Sequence, residues 1–123
     1  MKPCNCGSKL HASDCCEPLL NGSRNPATAE ALMRSRYSAF TEQKAGYLLA
    51  TWHPETRPAS LDFENCRWLG LKVLTTKLGT DLDDEGWVSF VARYKVAGKA
   101  FRIEENSYFT RINKRWFYVN GGD

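Results

Sequence analysis

No stretch of this 123-residue chain approaches the roughly 18 consecutive apolar residues that a membrane-spanning helix needs. The opening, Met1-Lys2-Pro3-Cys4-Asn5-Cys6, lacks the apolar core of a secretory leader. Together these absences predict a cytoplasmic protein with reduced thiols and no membrane partner. An excess of either charge is lacking too. The formal net charge is +3, and the longest basic cluster is Lys114-Arg115, so no strong nucleic-acid footprint is expected. Phosphate-cradling glycine loops, H-E-x-x-H and G-x-S-x-G are all missing, which removes the commonest sequence signals for nucleotide, metalloprotease and serine-hydrolase chemistry.

What remains is ordinary in bulk and unusual at one end. Hydrophobic residues make up 42% and charged residues 25%, which fits one compact domain with a small addition. A body of this size buries roughly two thirds of its unfolded surface and needs no staple. Yet four of the five cysteines fall within the first sixteen residues, as Cys4-Asn5-Cys6 and Cys15-Cys16. Cys4, Cys6, Cys15 and Cys16 form a complete tetrahedral thiolate set for Zn2+. Gly7 allows the tight turn that points backbone N–H groups at the sulfurs. Residues 10–14 are expected to return the chain through a short helix or turn, with Ser13 or Asp14 capping it. The ligand spacing is tighter than that of common zinc fingers. A local disulfide and plain free thiols are the alternatives, and His11 is a substitute for one sulfur.

A turn-rich connector at 21–26 follows. The spacing of Ala29, Leu32, Met33, Tyr37 and Phe40 predicts a helix over 27–40, and a second is expected over 42–51, stopped by Pro54. Strands are expected over 68–78, 87–96, 100–111 and 115–119. The second is the clearest, because Val88, Phe90, Ala92, Tyr94 and Val96 alternate with more polar neighbours. Helices first and an antiparallel meander afterwards make an α+β fold, helices against one face of a curved sheet.

Polar residues on faces that should be buried mark a candidate pocket. Glu105 and Ser107 interrupt the apolar row Phe101, Ile103, Phe109. Arg34, Arg36 and Tyr37 share the long helix, and His53 follows the second. Arg34, Tyr37, His53 and Glu105 are therefore ligand-pocket candidates, with a satisfied buried network as the bland alternative. A bulge within 102–106 would turn Glu104 inward instead. His53 has no evident partner for base catalysis, and a helix C-terminal cap explains it more simply. No catalytic residue is assigned.

Cys4-Asn5-Cys6-Gly7-Ser8 with Cys15-Cys16 resembles the SEC-C motif, the small zinc module at the C-terminus of the SecA translocation ATPase. Asn5 stands where that motif usually has Pro, Lys9 where it has Gly, and Ala12 where it has an aromatic. Residues 31–40, the stretch from Tyr47-Leu48 through Thr51-Trp52-His53-Pro54, and 115–119 are similar to the YchJ family. That resemblance implies a SEC-C-like motif over 1–22 and, over 26–123, a cone-shaped body of the cystatin-like or nuclear-transport-factor-two-like type. It implies no activity. The knuckle is expected to offer a rigid surface to a protein partner, by analogy a chaperone, translocation component or ribosome. The cone is expected to serve as scaffold or homodimer interface, or alternatively to bind or act on a small molecule.

Overall fold

The computed structural model describes residues 3–61, 63 and 66–121. The outer ends of the two expected segments, Met1-Lys2 and Gly122-Asp123, lie outside the described residues. A 3₁₀ turn at Ala12–Asp14 and helix α1 (Glu17–Leu20) complete the cysteine-rich start. Helices α2 (Ala29–Thr41) and α3 (Ala45–Ala50) precede strands β1 (Arg67–Leu78), β2 (Glu85–Val96), β3 (Lys99–Ile112) and β4 (Arg115–Asn120). The strands pair antiparallel in the order β1-β2-β3-β4, an α+β layout with helices on one face of the sheet. Among the described residues, no helix is long and apolar enough to cross a membrane.

Helix α2 starts two residues later than its periodicity suggests, because Thr28 caps it. Its hydroxyl oxygen accepts from the Ala31 N–H at 3.0 Å. Its end is equally well defined. Gln43 takes a left-handed φ of +57°, and Lys44 N–H reaches Ala39 O at 2.8 Å while Gln43 N–H reaches Phe40 O. This closing motif normally uses glycine. Because it consumes residues 42–44, the second helix is only six residues long, not the ten expected.

Both later hairpins turn on two residues with positive φ: Ala97-Gly98 (+52°, +81°) and Asn113-Lys114 (+51°, +68°). Such turns match the twist of paired strands. The bulge foreseen in β3 is not there. Glu104 faces Val91 and Glu105 faces Phe90 in an unbroken β2–β3 register, so Glu105 shares the inward face with Ser107 and Phe109. Register shifts fall elsewhere: at Tyr108/Phe109 against β4, and in β1 between Trp68 and Gly70 and between Val73 and Thr75, where Leu69 and Leu74 stay exposed. Bulges bend a strand, and these curve the sheet around α2.

Leu32, Leu48, Val88 and Phe109 are fully buried at the centre. The β1–β2 connection closes tightly on the start of α2. Ala29 N–H donates to Gly79 O at 2.9 Å, and a Cβ on Gly86 would sit 2.5 Å from Gly79 Cα. Only glycine fits there. Gly86→Ala is therefore expected to destabilise the protein by about 1–3 kcal/mol, read as a lower urea midpoint with an unchanged m value.

Candidate metal centre

The first cysteine is positioned by backbone pairing. Pro3 bridges to His11, and Cys4 N–H donates to Leu10 O at 2.8 Å. Gly7, at φ +81°, turns the chain back and presses on β1, where a Cβ would lie 2.7 Å from Leu71 O. Lys9 also adopts positive φ, +71°, which explains why related motifs favour glycine at this point. Cys16 stands at the start of α1, its carbonyl accepting from Leu19 and Leu20. The 3₁₀ turn is headed by His11 with no side-chain cap, so neither Ser13 nor Asp14 caps it.

These turns bring the sulfurs of Cys4, Cys6, Cys15 and Cys16 within 4.8 Å of one another, and none is disulfide-bonded. Cys6 and Cys15 are 3.6 Å apart, Cys15 and Cys16 3.9 Å. A tetrahedron of zinc–sulfur bonds has edges of about 3.8 Å. The donor set therefore fits a tetrahedral thiophilic ion. Cys4, Cys6 and Cys16 are buried and Cys15 is half-buried, while His11 is exposed and stands outside the cluster.

Hydrogen bonds from Cys16 and Ser8 hold the Cys6 thiol down to about 4 against the opposing effect of burial. The shared hydrogen bond with Cys6, then burial, drives Cys16 up, and burial raises Cys15. One thiolate among protonated neighbours is the arrangement a divalent cation replaces, displacing the shared protons.

A second layer ties the cluster to α2. Arg34 Nη1 donates to Cys6 O at 2.8 Å while its Nε donates to Glu30 at 2.9 Å. Ser38 donates to Asn5 Oδ1, and Asn5 Nδ2 donates to Thr41 Oγ1 at 2.7 Å. The unusual Asn5 thus exchanges the stiffness of proline for two bonds to a helix more than thirty residues away. Ser8 Oγ lies 3.0 Å from Cys15 Sγ. Sequence spacing signals the cysteine cluster but not these supports.

The pocket candidates divide. Tyr37 and Glu105 line a cavity of about 270 Å³ between α2 and the sheet, together with Arg36, Ser107 and Tyr118. Arg34 does not; it lies on the side of the same helix that faces the cysteines. His53 does not either. Its N–H donates to Tyr118 O at 2.7 Å and its Nδ1 accepts from Glu55 N–H, so it opens a turn beside β4. The arginine that sequence reasoning passed over is Arg36. It is 4% exposed, donates from Nη1 to Leu48 O and Thr51 Oγ1, and lies over the rings of Trp52 and Tyr118. Burial, then the charge of Glu105, pushes the Tyr118 phenol up to about 12, so it stays protonated.

Arg34→Ala is expected to weaken metal binding about ten- to hundredfold, as loss of a supporting contact does, measured by competition with a chromophoric chelator. Because protons compete for the same sulfurs, affinity in that assay is expected to fall as pH falls.

Residues 28–121 match the family model described as "YchJ, middle NTF2-like domain". A UPF0225 protein of Polaromonas naphthalenivorans is 55% identical over 109 residues, covering 87% of this chain and 78% of that one. A UPF0225 protein of Chromobacterium violaceum is 49% identical over 123 residues, covering 96% and 90%. Among solved structures, a SEC-C motif containing protein from Rhodopseudomonas palustris superimposes with a TM-score of 0.87 at 34% identity, covering 98% of this chain and 97% of that one. Another, from Psychrobacter arcticus, gives 0.81 at 27% identity, covering 99% and 82%. With the cysteine cluster ahead of a four-stranded cone, these similarities show that the chain belongs to the YchJ family and has its NTF2-like fold.

Proposed function

We propose that this protein is a non-catalytic zinc protein whose SEC-C-like knuckle docks a protein partner. The observation that carries the metal reading is the closed donor set, four sulfurs at tetrahedral spacing with three of them buried. A catalytic zinc keeps a position open for water, whereas four protein ligands leave none. The ion's work is then to hold the turns at Gly7 and Lys9 and the short helices in place, since a segment this small builds no core alone.

The partner reading rests on the rim of the knuckle. Leu10 is 53% exposed and borders a groove running past Cys15, Leu19, Pro26, Ala31 and Arg34. An apolar side chain held out by a metal-stiffened loop beside a groove suits recognition of a protein segment. Proteins naming the SEC-C motif share the fold, and by analogy with that motif the partner class is a chaperone, a translocation component or the ribosome. The cytoplasm, where thiols stay reduced, is the fitting compartment.

Elemental analysis of purified protein is expected to find one zinc per chain, reduced in Cys16→Ser and unchanged in Cys66→Ser; metal-free wild type would overturn the proposal. Three of the cysteines pack in the same core as Leu32 and Phe109, so the knuckle is not a detachable appendage. Chelation is accordingly expected to expose amides of residues 3–21 to exchange and to lower the melting temperature, while β2 and β3 stay protected. In affinity capture, a partner retained by wild type is expected to be lost with both Leu10→Asp and Cys15→Ser.

A further inference from the structure

The cavity between α2 and the sheet is independent of the metal and carries its own chemistry. Its walls are largely apolar and aromatic, with Tyr37, Phe40, Trp68 and Phe90 among them. Trp68 meets Tyr37 edge-on at 5.7 Å and Phe40 at 6.0 Å, and leans on Tyr94 at 5.3 Å, so the mouth is framed by rings. Ile103, 36% exposed, stands at that mouth.

Two opposite charges line the cavity without pairing. Among the described residues, no ion pair joins Arg36 to Glu105 or to any other carboxylate. Arg36 donates from Nη1 to Leu48 O and Thr51 Oγ1. Glu105 accepts through Oε2 from the Ser107 hydroxyl, and also accepts from the Tyr118 hydroxyl. A buried guanidinium and a carboxylate that do not meet are costly. They are also a matched donor and acceptor for a guest that reaches both. Because the charges cancel, a guest with net charge of either sign would face repulsion from one of them.

We propose that this cavity binds a small, neutral, planar aromatic molecule bearing an acceptor and a donor on one edge, as a primary carboxamide does. The acceptor is directed to Arg36, the donor to Glu105, and the ring packs among Tyr37, Trp68 and Phe90. The volume, about 270 Å³, sets the size at a single ring system, at the small end of ligand sites.

The test uses 15N-labelled, zinc-loaded protein titrated with benzamide, benzoate and benzylammonium in parallel, followed by amide and indole chemical shifts. Benzamide is expected to give saturable shifts confined to residues of the cavity wall and to bind more tightly than either ion. Glu105→Leu is expected to weaken it about tenfold, the effect of one lost hydrogen bond. Ile103→Trp, a change at an exposed position that narrows the mouth, is expected to abolish the shifts while the spectrum stays folded. Tighter binding of benzoate or benzylammonium would overturn the neutral-ligand assignment. Absence of saturable shifts with all three would overturn the cavity as a binding site. Zinc content measured on the same samples separates either failure from a failure of the metal reading.

Discussion

Four thiols held within a few ångströms cannot all ionise without a cation among them. Like charges at that spacing, partly shielded from water, repel by several kcal/mol per pair. The fold of residues 3–21 depends on that constraint being met. Cys6 carries negative charge readily because its neighbours donate to it, and Cys16 resists ionisation for the same reason. A divalent ion would resolve the conflict, and the turns of the segment bring the sulfurs together: positive φ at Gly7 and Lys9, the Pro3–His11 bridge and the short helix after Cys16.

Helix α2 serves both halves of the molecule. Arg34, Ser38 and Thr41 reach the knuckle, directly or through Asn5. Arg36 and Tyr37, together with Met33 and Phe40, line the cavity against the sheet. These two sets fall on different sides of one helix, as a 3.6-residue period requires. That explains the many buried polar groups on α2. Ser35 bonds Leu32 O and Tyr47 OH, and Arg36 bonds the end of α3, so few of them are left without a partner.

Much of this was legible in the sequence, and unevenly so. Strand β2 could be read because its inward residues alternate without interruption, and the cysteine cluster because four of five cysteines fall within sixteen residues. Glu105 stood out as a polar group in an apolar row, and Tyr37 as a neighbour of the arginines on the long helix. Arg34 was assigned to the wrong side of its helix: its neighbour Arg36 is equally polar, and only the tertiary placement of Cys6 O and Leu48 O decides which way each turns. The second helix was drawn too long because Gln43, not glycine, supplies the left-handed residue. His53 was misread because its backbone pairs with Tyr118, a contact between residues more than sixty apart that no local pattern announces.

Gly7 rests against Leu71 O, and Cys6 is held by Arg34, so the surfaces that cover the cysteines are encoded well after them. During synthesis at roughly 5–20 residues per second, the thiols leave the ribosome seconds before β1 exists to shelter them. In that interval they are open to oxidation and to any passing soft metal. Newly made chains therefore expose the four thiols before the sheet that shelters them has formed.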